Sequence, residues 1–121
     1  MIAKTALAEI APYITRDGSE IRELLHPDQH PVRQQSLAEA VVPPGATTLL
    51  HRHLLSEEIY HVTHGTGRMT LGDEVFTIAP GDSIAIAPGT PHRVENTGDE
   101  ALHILCCCAP AYSHADTELL A

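Results

Sequence analysis

The chain has 121 residues, of which sixteen are acidic and seven are basic, so its formal net charge at pH 7 is −9. This length fits one domain with a hydrophobic core, and the scattered basic residues argue against nucleic acid or an anionic membrane as a partner. Lys4 and Glu9 interrupt the apolar N-terminal stretch and no run approaches transmembrane length, so we expect a soluble, cytoplasmic protein.

Turn residues punctuate the chain at short, even intervals, which is typical of an all-β barrel or sandwich. The predicted strands are Glu20–Leu25, Gln34–Val42, Thr47–His53, Glu58–Thr63, Arg68–Leu71, Glu74–Ile78, Ser83–Ile86, His92–Asn96 and Ala101–Cys108. A single helical turn over Ile21–His26 is the alternative to the first of them. The two ends, Met1–Tyr13 and Ala111–Ala121, have too little apolar pattern to fold alone, and we expect them to lie against the barrel or a second subunit.

Two histidines, His51 and His53, stand two residues apart on the third predicted strand. Residues i and i+2 of a strand share one face about 6.5–7 Å apart, so both imidazoles can reach one metal ion. Glu58 follows a segment long enough to turn the chain, and His92 follows a Pro/Gly turn. A His-x-His pair alone means little in a chain with nine histidines, so the argument depends on the joint spacing with the surrounding glycines.

With that spacing the chain resembles the cupin family, whose first motif is G-x5-H-x-H-x3,4-E-x6-G and whose second is G-x5-P-x-G-x2-H-x3-N. The matching residues are Gly45, His51, His53, Glu58 and Gly65 in the first motif, and Gly81, Gly89, His92 and Asn96 in the second. The first proline of the second motif is replaced by Ala87, which affects a turn and not a ligand. The resemblance implies a small microbial cupin with a double-stranded β-helix (jelly-roll) barrel. It also implies a single domain over residues 1–121, with a barrel core at about 34–108, and a metal site made by His51, His53, Glu58 and His92.

The predicted ligand set limits the metal. Three imidazoles and one carboxylate leave two positions open on an octahedral ion, where a small-molecule ligand can bind. One divalent transition metal per chain is therefore expected. Mn(II) and Fe(II) are favoured, Ni(II) and Co(II) are further candidates, and Zn(II) is less favoured because a closed tetrahedral site would leave no labile position.

Side-chain alternation extends the prediction to the rest of the pocket, because residues that share a strand face with a ligand point the same way. The residues predicted to face inward on this basis are Thr47, Leu49, Tyr60, Val62, Val94 and Asn96, and the predicted apolar lining is Met69, Phe76, Ile78, Ile84 and Ile86. We expect a small, mostly apolar pocket, polar only at the metal, at Tyr60 and at Gln34, Gln35 or Ser36. Tyr60 has two interpretations, a core tyrosine or a catalytic residue that faces the substrate as an acid or hydrogen-bond donor.

The three cysteines are consecutive, Cys106 to Cys108, which is not the pattern of a disulfide framework. On a strand, Cys106 and Cys108 share one face with Leu102 and Ile104, as small buried hydrophobic residues would. The alternative is a sulfur ligand or a redox pair, and it requires the thiols to face the histidines.

The resemblance implies a mononuclear metalloenzyme, an oxygenase or an isomerase/lyase that acts on a small, largely apolar or enolisable molecule. The alternatives are a non-catalytic, metal-dependent binding or sensor module, and a structural dimer whose metal only rigidifies the barrel. Cupins commonly pair as homodimers through a sheet edge, and the N-terminal segment offers an edge strand for such a dimer.

Overall fold

Two antiparallel sheets make up this computed structural model, which describes residues 3–120. The strands are β1 (Tyr13–Ile14), β2 (Glu20–Leu25), β3 (Ser36–Val42), β4 (His51–His53), β5 (Glu57–His64), β6 (Gly67–Leu71), β7 (Glu74–Ile78), β8 (Ser83–Ile86), β9 (His92–Asn96), β10 (Leu102–Ala109) and β11 (Thr117–Leu119). One sheet has the order β1-β2-β3-β10-β5-β8 and the other the order β11-β4-β9-β6-β7. Short 3₁₀ turns occupy Leu7–Glu9 and His114–Asp116. The predicted all-β, double-stranded β-helix fold is confirmed.

The core lies between the two sheets, where strands with alternating burial face each other. Its most deeply buried apolar side chains are Val62, Met69, Ile78, Leu102 and Ile104. On β10, burial alternates at every position, so Cys106 and Cys108 share the inner face with Leu102 and Ile104, as predicted. Phe76 is only partly buried against this core.

The predicted strand Thr47–His53 forms only in its second half. Only His51–His53 of the predicted Thr47–His53 strand forms a ladder, and Thr47 makes an isolated bridge with Glu95. The amide of Leu49 instead donates to the carbonyl of Asp17, in a different part of the chain. The alternation therefore breaks before β4. Thr47 and Leu49 are exposed, contrary to the prediction that both face inward.

The residues of β3 and β10 leave space at one end of the barrel. Ser36 pairs with Cys108, and Ala38 with Cys106, so small side chains lie side by side on the inner face. At the other end of β10 the larger Leu102 and Ile104 fill the interior. Because small side chains on neighbouring strands cannot fill the space between the sheets, a cavity opens over this half of the first sheet.

Both terminal segments add strands to the sheets. β1 pairs with β2 at the edge of the first sheet, and β11 pairs with β4 at the edge of the second. Met1, Ile2 and Ala121, which belong to the predicted terminal segments, lie outside the described residues. Within residues 3–120, no helix has the length and apolar character needed to cross a membrane. The homodimer stays a prediction.

Candidate metal centre

The four residues predicted as ligands come together from three strands. β4 carries His51 and His53, β5 carries Glu58 and β9 carries His92, which is the cross-strand partner of His51. One ring nitrogen from each histidine lies within 4.8 Å of the other two. Glu58 Oε1 is 3.2 Å from His53 Nε2 and 3.5 Å from His92 Nε2. All four side chains are buried, so the cluster is enclosed by protein.

Backbone carbonyls hold two of the imidazoles by their outer nitrogens. His51 Nδ1 lies 2.8 Å from the carbonyl oxygen of Leu49, and His92 Nδ1 lies 2.9 Å from that of Thr90. A carbonyl oxygen only accepts hydrogen bonds, so in the neutral rings the proton is on Nδ1. The lone pair on Nε2 is then left for the interior of the cluster, which is the arrangement found in metal-binding histidines.

A hydroxyl from the C-terminal segment holds the third imidazole. His53 Nδ1 lies 3.0 Å from Thr117 Oγ1, and the Thr117 hydroxyl itself donates to the carbonyl of Ser113 at 2.9 Å. Its only proton is used there, so Thr117 accepts the proton of His53 Nδ1. All three histidines therefore present Nε2 lone pairs to one point.

Two buried polar atoms at this point have no hydrogen-bond partner among the described residues, Glu58 Oε1 and His92 Nε2. Leaving such an atom unsatisfied costs about 1–3 kcal/mol. A divalent cation bound by both atoms would remove this cost, and a set of imidazole nitrogens and one carboxylate oxygen is a common donor set for transition metals. The residues present therefore fit a divalent metal ion.

The protonation states of two of these residues also suit a cation. Burial by itself raises the pKa of the Glu58 carboxyl, but hydrogen bonds and positive charge from His53 and His92, when their Nε2 atoms carry protons, outweigh it and lower the pKa to about 2. A metal cation in place of those protons would act on the carboxyl in the same direction. Burial, together with the charge of His92, lowers the pKa of His51. At neutral pH the first is a carboxylate and the second a neutral imidazole, which are the forms that bind metal ions.

Cys106 and Cys108 line the cavity beside the cluster. Cys108 is not a metal ligand in this arrangement but a hydrogen-bond donor to the predicted ligand Glu58. Cys108 Sγ donates to Glu58 Oε2 at 3.2 Å. Burial and the charge of Glu58 raise the pKa values of Cys106 and Cys108, so both remain thiols. The hydrogen bond holds Oε2 and leaves Oε1 directed at the histidines.

Tyr60 lies on the inner face of β5, beside the cluster. Its ring centroid is 5.8 Å from that of His92, and its side chain is buried. Burial, followed by the charge of Glu58, raises the pKa of its hydroxyl well above the ordinary value. Tyr60 is therefore a neutral phenol at physiological pH, able to donate a hydrogen bond.

A cavity of about 40 Å³ borders the cluster and opens towards a wider groove of about 690 Å³, with which it shares Tyr13, Glu23 and Tyr112. The surface of the cavity is mostly apolar, as predicted, but its wall includes polar side chains that were not predicted, among them Thr15, Asp17 and Glu23. Ser36 lines it, whereas Gln34 and Gln35 are exposed and do not. The residues predicted as apolar lining, Met69, Ile78, Ile84 and Ile86, lie in the core instead.

Asp17 and Thr117 are neighbours of the cluster that were not predicted from the sequence. Asp17 Oδ2 is 3.7 Å from His51 Nε2, and Asp17 Oδ1 accepts hydrogen bonds from the amide and the hydroxyl of Ser19. Asp17-Gly18-Ser19 is a recognisable turn signal in the sequence, but its position beside the cluster depends on the folded chain. It forms a tight turn with Gly18 at φ +94°, and this turn places the carboxylate at the cavity.

Comparison with known proteins identifies the family. The Cupin domain model matches residues 38–108, which is more than half of the chain. This chain belongs to the cupin family. The uncharacterized protein MJ1618 of Methanocaldococcus jannaschii is 57% identical to this cupin over 119 residues, which cover 98% of this chain and 95% of that one.

Two further comparisons concern more distant proteins. The oxalate-binding protein of Thermotoga maritima is 30% identical to this cupin over 86 residues, 71% of each chain. The polyketide cyclase RemF from Streptomyces resistomycificus has the same fold, with a TM-score of 0.84 and 20% identity over 100% of this chain and 87% of that one. At that identity the likeness concerns the fold alone.

Proposed function

We propose that this cupin is a mononuclear metalloenzyme that binds one divalent transition metal ion, Mn(II) or Fe(II) by preference. The ion is held by His51, His53, Glu58 and His92. The observation that carries the proposal is the pair of buried, unpartnered acceptors, Glu58 Oε1 and His92 Nε2, at the point where the imidazoles meet. The reaction is of the oxygenase or isomerase/lyase type, on a small enolisable molecule.

When bound by these four residues, the ion would supply a Lewis acid for a substrate oxygen. The protein supplies the proton chemistry around it. Tyr60 keeps its proton and donates a hydrogen bond from its hydroxyl to a substrate oxygen. Asp17 is fixed through Oδ1 by Ser19, so Oδ2 is the atom that accepts a proton from an acidic carbon of the substrate. The narrow cavity excludes bulk water from both groups.

A metal-dependent binding module without turnover is the second candidate. The similarity to the oxalate-binding protein of Thermotoga maritima favours it. The two candidates share the metal site and differ only in whether the bound molecule is converted.

The metal site is tested first, by elemental analysis of protein purified without added metal or chelator. We expect about one metal ion per chain in the wild type, and loss of it in His51→Ala and His92→Ala. His61→Ala is the matched control, because His61 lies on β5 outside the cluster and its Nδ1 is hydrogen-bonded to the hydroxyl of Ser83. Metal retained in both site variants, or no binding of added Mn(II) or Fe(II) by the wild type, would refute the assignment.

Turnover is tested next. Metal-loaded protein is incubated with a labelled metabolite extract, with and without O₂, and the extract is compared by mass spectrometry. Disappearance of one compound, abolished in His92→Ala, supports the enzyme. An unchanged extract from which the loaded protein nevertheless retains one compound supports the binding module.

A further inference from the structure

The side of the cavity formed by the N-terminal residues is acidic. Besides Glu58, its lining includes Asp17 from the turn before β2 and Glu23 from β2 itself. Within residues 3–120, no lysine or arginine side chain lines it. Apart from the proposed metal ion, a ligand that enters the cavity therefore meets two carboxylates outside the predicted ligand set and no lysine or arginine side chain.

Glu23 has one oxygen with no partner. Its Oε1 accepts a hydrogen bond from the Tyr13 hydroxyl at 2.9 Å. Its Oε2 is buried and has no hydrogen-bond partner among the described residues. Burial and the neighbouring Glu23 raise the pKa of Tyr13, which therefore stays a donor and fixes the carboxylate. The unpartnered Oε2 is a hydrogen-bond acceptor whose desolvation the protein does not offset.

The strand register gives the distance from Glu23 to the reactive end of the cavity. Glu23 pairs with Ala38, Ala38 with Cys106 and Cys106 with Tyr60. With about 4.8 Å between neighbouring strands, the Cα atoms of Glu23 and Tyr60 are roughly 14 Å apart along the sheet. The small side chains of Ala38 and Cys106 leave the floor between them open. That length suits a molecule of one ring or a short chain.

We propose that Glu23 selects the ligand of this cavity. This inference rests on the metal site proposed above. The ligand is an uncharged small molecule that coordinates the ion through an oxygen atom at one end. At the other end it donates an O–H or N–H hydrogen bond to Glu23 Oε2. Dicarboxylates bind less well than their affinity for the metal ion alone would allow, because Asp17 and Glu23 repel their negative charge and no lysine or arginine lines the cavity to offset that repulsion.

Oxalate and kojic acid are the probes. Oxalate is a dianion, whereas kojic acid is uncharged in its free form, has one ring, and carries a hydroxymethyl O–H donor at the end opposite its chelating oxygens. Each is titrated calorimetrically into Mn(II)-loaded protein after the manganese content has been measured. The affinity for each probe is compared between the wild type and a variant. The metal's own preference for one probe over the other then cancels. In Glu23→Gln we expect oxalate to bind about tenfold more tightly than in the wild type and kojic acid severalfold more weakly.

Two further variants make the test specific. Glu74→Gln removes the same charge from an exposed position on β7 and should change neither affinity more than about twofold. Asp17→Asn keeps an oxygen acceptor for Ser19 and should also strengthen oxalate binding. The test therefore still works if one of the two variants fails to fold. If Glu23→Gln and Asp17→Asn both bind one manganese ion per chain and have the oxalate affinity of the wild type, the inference about Glu23 is refuted and the metal site is not. A wild type that binds no manganese would overturn the metal site, and the inference with it.

Discussion

Thr117 offers the sharpest test of how the barrel orients its predicted ligands, because one hydroxyl connects the C-terminal strand to His53. Thr117 begins β11 and is the cross-strand partner of His53. Valine has nearly the shape of threonine, so Thr117→Val keeps the buried side-chain volume and removes the hydroxyl alone.

The magnitude follows from the two hydrogen bonds of that hydroxyl. It accepts from His53 Nδ1 at 3.0 Å and donates to the carbonyl of Ser113 at 2.9 Å. Leaving the buried imidazole N–H unpaired costs about 1–3 kcal/mol, and the second bond contributes about 1 kcal/mol. We therefore expect the free energy of unfolding to fall by about 2–4 kcal/mol. Because a freed ring can rotate or change tautomer, metal affinity should fall roughly 10- to 100-fold.

Stability is measured by urea denaturation of the metal-free protein, and metal affinity by competition with a chelator. Thr63→Val is the control, because the Thr63 hydroxyl is exposed and makes only a long bond of 3.4 Å to the carbonyl of His103. It should change the free energy of unfolding by less than about 0.5 kcal/mol. If Thr117→Val is destabilised but binds metal with wild-type affinity, the Thr117 hydroxyl is not needed to orient the His53 ring for metal binding, or His53 is not a ligand.

Three further predictions follow from other contacts of the site. Asn96→Ala removes three hydrogen bonds of 2.8–2.9 Å to backbone groups and should lower the free energy of unfolding by about 3 kcal/mol in urea. Metal stoichiometry should not change, and metal loss would contradict a purely structural role for Asn96. Cys108→Ala removes the donor to Glu58 Oε2 and should weaken metal binding about tenfold. Cys108→Ser should restore binding and Cys107→Ala should leave it unchanged, whereas equal affinities in all three variants would refute the role. Burial lowers the pKa of His51, so below pH ~6.5 the unfolded chain binds a proton that the folded one does not. The urea midpoint of the metal-free protein should therefore fall between pH 7 and 5, and a flat profile would refute this.

The sequence predicted what depends on uninterrupted alternation. On β9, on β10 and over residues 57–62 of β5 every second residue is buried, so once the family resemblance directs Glu58 and His92 inward, alternation directs Tyr60 inward as well. The ladder of each of these strands is continuous over most of its length, and a continuous ladder fixes which face a side chain occupies. The sequence did not predict that the ligands come from both sheets: β4 and β9 carry the histidines in one sheet, and β5 carries Glu58 in the other.

The sequence could not predict contacts that depend on pairing between distant segments. Thr47 and Leu49 were predicted to face inward because alternation was extended beyond the ladder of β4, where a hydrogen bond from the Leu49 amide to the Asp17 carbonyl replaces the ladder. β1 and β11, of two and three residues, carry no periodic signal of their own. They exist because neighbouring strands pair with them, and so the positions of Asp17 and Thr117 became visible only in the folded chain.

The division of the site between barrel and terminal segments has a functional consequence. The residues proposed to hold the metal lie within 38–108, the part of the chain that matches the family model. Much of the cavity wall comes from outside it, and the hydroxyls of Thr15 and Tyr112, 2.9 Å apart, join the two terminal segments there. Changes in these segments alter the shape and charge of the cavity without touching the metal-binding strands. Relatives that share the barrel can therefore keep the same metal chemistry and accept different molecules, which is why the ligand has to be inferred from Glu23, Asp17 and their neighbours and not from the motifs.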